Sequence, residues 1–70
     1  MSLNKIKKSD LKKGDLIMIY NDIIAIVLET NHDRQFVDPK VAFYDFKNML
    51  TIQGVHPYYI NYIIDNKYFF

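Results

Sequence analysis

Two apolar runs joined by a short polar turn constrain the fold of this chain more than any other feature. The segment Lys12-Lys13-Gly14-Asp15 leads into a run from Leu16 to Tyr20, and a second run follows from Ile23 to Thr30. Between them stands Asn21-Asp22, a pair that tolerates positive φ and fits a two-residue hairpin turn. Both runs are rich in β-branched residues, which favour strands. The arrangement predicts a hairpin that opens a small β-barrel.

The second run alternates between two faces, and both are apolar. One face carries Ile24, Ile26 and Leu28, and the other carries Ile23, Ala25 and Val27. A strand of this kind is buried on both sides, or lines the core with one face and meets a neighbour with the other. We predict that the second face contributes to a protein contact.

Three further strands are predicted by apolar runs between turn signals, over about residues 41–46, 49–54 and 60–64. Residues 31–40 form a polar loop that ends in Asp38-Pro39, and Lys47-Asn48 fits a second tight turn. His56-Pro57-Tyr58-Tyr59 predicts a short 3₁₀ turn, because proline has no N–H to donate to a ladder. Residues 10–70 are therefore predicted to form one all-β domain, a five- or six-stranded antiparallel SH3-like barrel, with residues 68–70 as the optional sixth strand.

The size and composition of the chain predict a partner. Seventy residues lie near the lower limit for independent folding, and without cysteine no disulfide can add stability. Six Tyr and five Phe exceed what a small barrel interior holds, and apolar residues left at the surface mark protein contacts. We predict a homodimer and a protein partner, and the contact residues are expected to be Ile23, Ala25, Val27, Tyr68, Phe69 and Phe70.

The charges divide the chain into a basic start and a mildly acidic remainder. Residues 1–9 are predicted to form a lysine-rich leader, and the lysines at its start and just after it are Lys5, Lys7, Lys8, Lys12 and Lys13. Clustered lysines attract phosphate groups, so these five are the candidate nucleic-acid-binding residues. The alternative is a solubilising, partly disordered leader.

The order of these motifs resembles that of small SH3-like barrel proteins encoded by tailed bacteriophages, especially marine ones. The matching pieces cover about residues 10–65, and they are Gly14-Asp15, Val41-Ala42-Phe43-Tyr44 and His56-Pro57-Tyr58-Tyr59-Ile60-Asn61-Tyr62-Ile63-Ile64. The tryptophan common ahead of the final turn in that family is absent. The resemblance implies a phage source and a barrel fold, and implies no activity, since most such proteins have none assigned.

The sequence contains few residues that could form a catalytic site. The serines, Ser2 and Ser9, both lie in the predicted leader, and there is no cysteine to pair with a histidine. His32, Asp33 and Asp38 share one loop, but their spacing matches no recognised metal motif. His56 fits a structural role in its turn. We therefore expect no enzyme activity, no metal and no cofactor.

The expected function is contact with another macromolecule. No segment reaches the length of a membrane span and residues 1–8 lack a signal-peptide run, so we expect no membrane partner and a location in the host cytoplasm. Three hypotheses remain open. The chain is an interaction module for a host or virion protein, a nucleic-acid-binding accessory protein that uses the basic leader, or a minor structural component of the virion.

Overall fold

The protein is a single antiparallel β-sheet, as the sequence predicts. The computed structural model describes residues 6–65, so Lys5, Tyr68, Phe69 and Phe70 lie outside the described residues. The strands are β1 (Leu16–Ile19), β2 (Ile23–Glu29), β3 (Lys40–Tyr44), β4 (Leu50–Gly54) and β5 (Ile60–Asp65), and 3₁₀ turns cover Lys8–Asp10 and Pro57–Tyr59. The sheet order is β4-β3-β2-β1-β5, so the last strand pairs with the first. The all-β prediction is confirmed.

One face of this sheet, which we call the inner face, carries the core. In the register of the ladders Ile17 lies opposite Ala25, and Val27 lies opposite Val41. The register shifts after Val27 in the β2–β3 ladder and twice in the β1–β5 ladder, and such bulges bend strands and increase their twist. The sheet therefore curls around its inner face, whose buried residues are Leu11, Ile17, Ile19, Ala25, Val27, Val41, Phe43, Val55 and Ile60.

The β1–β2 turn differs by one residue from the prediction. Tyr20 and Asn21 both have positive φ, 50° and 73°, and the Asp22 N–H donates to the Ile19 carbonyl at 3.2 Å. The tight turn is therefore centred on Tyr20-Asn21, where the sequence predicted Asn21-Asp22. A bulky tyrosine rarely adopts this backbone region, and propensity alone therefore assigns it to the strand.

Two residues of the predicted leader, Ile6 and Lys8, contact the rest of the described chain. Ile6 packs against the core, and the Lys8 ammonium donates to the carbonyls of Arg34 and Val37 in the β2–β3 loop. The Asp10 carboxylate accepts from the Lys7 N–H at 2.9 Å and closes the first 3₁₀ turn. Within residues 6–65, both helical segments are turns of three residues, and no helix is long and apolar enough to cross a membrane.

Candidate functional site: two exposed surfaces of the sheet

Three exposed tyrosines meet where the β1–β2 turn approaches the second 3₁₀ turn. The ring centroids of Tyr20 and Tyr59 are 5.5 Å apart, and those of Tyr58 and Tyr59 are 5.4 Å apart in an edge-to-face arrangement. Together with Asn21 and Asn61 these residues line an open concavity of about 320 Å³. We call these five residues the tyrosine cluster. The Tyr58–Tyr59 pair has the edge-to-face geometry that aromatic quadrupoles favour.

The turn that carries Tyr20 is tied to its neighbours by several hydrogen bonds. The Tyr20 N–H donates to the Tyr59 carbonyl at 3.1 Å, and the Asn21 N–H donates to the Asn61 side-chain oxygen at 2.8 Å. The Asn61 side-chain amide donates back to the Asn21 side-chain oxygen at 2.9 Å. These bonds hold Tyr20 in a backbone conformation that costs about 1–2 kcal/mol for a residue with a Cβ.

The other side of the cluster is fixed by the second 3₁₀ turn. The His56 Nδ1 accepts from the Tyr58 N–H at 3.0 Å, and Pro57 occupies the first position of the turn. Proline fits there because the missing N–H has no partner within a turn. The prediction of a 3₁₀ turn with a structural His56 is confirmed. Tyr58 and Tyr59 are therefore held in place by backbone that has little freedom to rearrange.

The second exposed surface is the side of the sheet opposite the core. We call it the outer face, and its apolar residues in the regularly paired parts of β1 to β4 are Leu16, Met18, Ile24, Ile26, Ala42, Tyr44, Leu50 and Ile52. Ile24, Tyr44, Leu50 and Ile52 are each between 56% and 65% exposed. Phe46 extends this surface at the tip of the β3–β4 hairpin and is 93% exposed. Large apolar side chains of this kind usually meet another molecule.

The predicted contact residues of β2 lie on the opposite side from this surface. Ala25 and Val27 are 2% and 0% exposed, and Ile23 packs partly buried against the core. The alternation was predicted correctly, but the assignment of this face as a contact surface is wrong. The sheet curls toward the face that carries Ala25 and Val27. Ile24 and Ile26 lie on the outer face.

The predicted nucleic-acid-binding lysines do not gather at one site with the tyrosines. Lys8 is half-buried, and its ammonium is bound by two backbone carbonyls. Lys7, Lys12 and Lys13 are exposed. Lys12 and Lys13 precede the first residue of β1, whereas Tyr20 follows its last residue. The lysines and the tyrosine cluster therefore lie at opposite ends of that strand.

Both histidines bind backbone groups. The His32 Nε2 lies 2.9 Å from the Lys8 carbonyl, so His32 joins the β2–β3 loop to the first 3₁₀ turn. Asp33 and Asp38 of the same loop are exposed, and the Asp38 carbonyl accepts from the Asn31 side chain at 2.9 Å. Among residues 6–65, no three His, Cys, Asp or Glu residues are close enough to share a metal ion.

The tyrosine cluster is the surface that sequence analysis missed. Tyr58 and Tyr59 were recognised as part of a turn, but nothing in the sequence joined them to Tyr20, which is separated from them by most of the chain. No family model, curated protein sequence or solved structure matches the chain.

Proposed function

We propose that this chain is an SH3-like barrel that acts, without catalysis, as an interaction module for another protein. The barrel assignment is supported by the sheet order, in which β5 returns to pair with β1, and by the bulges that curl the sheet around its core. A non-catalytic role is supported by the histidines, since each has a ring nitrogen within hydrogen-bond distance of a backbone group in a loop or turn.

The tyrosine cluster is the proposed contact surface, and the observation that carries it is the backbone of Tyr20. Strained residues persist where the surrounding structure fixes them, and they concentrate at ligand-binding positions. Tyr20 has a φ of 50°, and hydrogen bonds to Tyr59 and from Asn21 to Asn61 hold the turn in place. A turn built for stability alone would carry glycine or asparagine at this position. The tyrosine supplies a ring to the exposed cluster.

The chemistry of the cluster favours an extended, uncharged segment of a partner protein. Tyrosine is enriched in the cores of protein interfaces, since its ring buries a large apolar area while its hydroxyl forms hydrogen bonds. The residues that line the concavity are three tyrosines and two asparagines, none of them charged. Aromatic-lined grooves are a recurrent means of binding extended peptides, whose backbone needs polar groups beside the rings.

Nucleic-acid binding is the weaker hypothesis. Single strands are bound by aromatic platforms placed beside cationic grooves. In this chain Gly14, Asp15 and the four residues of β1 separate Lys13 from Tyr20, and the strand alone spans about 13 Å. Binding through the lysines would fall steeply with salt, with a log–log slope of roughly −0.7 per neutralised phosphate on single strands.

The biological setting remains a proposal that rests on the resemblance to phage barrel proteins. An accessory protein that contacts a host protein would remain in the host cytoplasm, whereas a virion component would copurify with particles. Mass spectrometry of purified particles and of the infected-cell cytoplasm separates the two settings. Recovery in neither fraction would contradict both.

The contact surface is tested by selecting peptides from a displayed random library on the immobilised chain. We expect selected peptides to shift the NMR signals of Tyr20, Tyr58, Tyr59 and Asn61 when they are titrated against the labelled protein. Tyr58→Ser should remove binding, while Tyr44→Ser, an equally exposed tyrosine of the outer face, should retain it. Failure to select any peptide, or shifts confined to other residues, would contradict the proposed function.

A second variant separates function from folding. Asparagine tolerates positive φ, so Tyr20→Asn relieves the strain in the turn, and the melting temperature should stay within a few degrees of that of the wild type. Peptide binding should nevertheless fall at least tenfold, because the ring is lost from the cluster. Retained binding in this variant would show that Tyr20 is not part of the contact surface.

A further inference from the structure

The outer face presents two continuous rows of apolar side chains across the sheet. Leu16, Ile26, Ala42 and Ile52 are paired in turn from β1 to β4, and they form the first row. In the second row Met18 pairs with Ile24, and Tyr44 pairs with Leu50 on the adjacent ladder. Neither row includes a charged residue. The surface is therefore apolar and electrically neutral across these two rows.

The size of this surface matches one side of a stable dimer. With Phe46 included, the exposed parts of its large side chains amount to on the order of 600 Å², if a large side chain contributes roughly 150–250 Å² when fully exposed. That is the upper limit for the largest apolar patch of a typical monomer, about 300–600 Å². A standard interface buries about 800 Å² per partner, of which somewhat more than half is apolar. The outer face supplies that apolar share.

Charged residues flank the neutral surface and differ between the two ends of the strands. At the end where β1 begins and β2 finishes, the exposed charged residues next to the strands are Lys12, Lys13 and Lys40 against Glu29 and Asp38, an excess of one positive charge. At the other end Asp22 and Asp45 line a depression next to Ile24, Tyr44 and Phe46, and Lys47 lies above the Phe46 ring. The carboxylates are in excess there. The face therefore has one basic end and one acidic end.

We propose that a second copy of this chain covers the outer face, with the two sheets packed face to face and their strands antiparallel. A two-fold axis in the plane of the interface and perpendicular to the strands places the basic end of each copy against the acidic end of the other. A neutral apolar centre needs no complementary charge, so the same surface of a second copy can pack against it. Aligned sheets pack in this way about 10 Å apart with interleaved side chains.

This dimer is independent of the proposed peptide contact. It uses the outer face of the sheet, which carries Ile24 and Tyr44, and it leaves the tyrosine cluster exposed. It also differs from the dimer that the sequence predicted, because Ala25 and Val27 are core residues. The remaining alternatives are a foreign protein on the outer face and coverage by Tyr68, Phe69 and Phe70 of the same chain.

Light scattering coupled to size exclusion tests the proposal on the full chain. At hundreds of micromolar we expect about twice the monomer mass of 8.4 kDa. The double variant Leu50→Glu/Ile52→Glu should elute as a monomer, since carboxylates on both copies would oppose each other. The control is Phe36→Glu, which also replaces an exposed apolar side chain with glutamate but lies in the β2–β3 loop, and it should remain dimeric.

Each alternative gives a distinct result. A monomeric wild type would overturn the proposal and leave the outer face to a foreign protein or to residues of the same chain. A dimer that survives the double variant would place the interface elsewhere. Serine at Tyr68, Phe69 and Phe70 in the full chain should leave the mass unchanged, and dissociation of that variant would assign the contact to the C-terminal aromatics instead.

A measurement on the unmodified chain tests the same proposal even if a variant fails to fold. In a mixture of labelled and unlabelled protein, isotope-filtered NMR should detect contacts between the Tyr44 ring of one copy and the Ile24 or Ile52 methyl groups of the other. Intermolecular contacts that involve only residues outside the outer face would overturn the proposal.

Discussion

The two faces of the sheet are built from similar residue types and yet differ in their surroundings. Ile17 and Val27 on the inner face have no exposed surface, whereas Ile24 and Ile52 on the outer face are more than half exposed. Hydrophobicity therefore does not distinguish the faces. The curl of the sheet does, because the bulges in the β2–β3 and β1–β5 ladders bend it toward the inner face.

This comparison has an energetic meaning. The inner face stabilises the isolated chain, while the outer face contributes fully only when another molecule covers it. Burying apolar surface contributes about 25 cal/mol per Å². A small domain of marginal stability therefore gains most from its second apolar face in the assembled state. The same substitution should consequently have different effects on the two faces, and the following predictions use that difference.

The largest expected effect comes from removing an isoleucine from each face. Ile17→Ala should lower the free energy of unfolding by about 2–5 kcal/mol, because it leaves a cavity in the core. Ile52→Ala should lower it by at most about 0.5 kcal/mol in dilute protein, as surface substitutions do. Urea denaturation followed by circular dichroism gives both values. At high protein concentration the effect of Ile52→Ala should grow. Equal losses in dilute protein would contradict the assignment of the faces.

A smaller effect is expected from Asp15, the acidic residue that is buried with the inner face among the residues whose burial the structure describes. Asp15 has no exposed surface; one carboxylate oxygen accepts from the Lys12 N–H at 2.8 Å, and the other has no hydrogen-bond partner among the described residues. Asp15→Ala should cost about 1–3 kcal/mol, because the Lys12 N–H loses its acceptor in a partly buried hydrogen bond.

The matched control for this substitution is Asp10→Ala. The Asp10 carboxylate accepts from the Lys7 N–H with the same spacing along the chain, but both residues are exposed. Water can replace that bond, so the loss should be clearly smaller than for Asp15. If Asp10→Ala and Asp15→Ala lowered the free energy of unfolding equally, burial would not determine how much these hydrogen bonds stabilise the fold.

The smallest effect concerns the tyrosine cluster, which belongs to neither face. A double-mutant cycle with Asn21→Ala and Asn61→Ala should give a coupling energy of about 1 kcal/mol, the usual net value of a hydrogen bond between neutral groups. Thermal unfolding measures each variant. Additive losses would show that the bond between the two side chains does not help to fix the turn, and would leave the backbone N–H bonds of Tyr20 and Asn21 as its support.

The sequence identified the elements of this fold better than their surroundings. Strand positions, the 3₁₀ turn at His56-Pro57 and the alternation in β2 follow from local patterns, and they were predicted. The side of β2 that faces the core was not predicted. Ile24 and Ala25 are both apolar, and the bulges that bend the sheet toward one face depend on pairing with strands that are distant in the sequence. The tyrosine cluster was missed for the same reason. It forms only when the β1–β2 turn meets residues 57–61.

The central claim is that the sheet has one face buried by the chain itself and a second face covered by another copy. Solvent paramagnetic relaxation of the isoleucine methyl groups tests it directly, because Ile17 and Ile19 lie on the inner face and Ile24 and Ile52 on the outer face. In dilute protein a soluble gadolinium chelate should relax only the outer pair. In concentrated protein the outer pair should become protected while the inner pair does not change. Relaxation of all four methyl groups in dilute protein, or outer methyl groups that stay accessible at every concentration, would contradict the account.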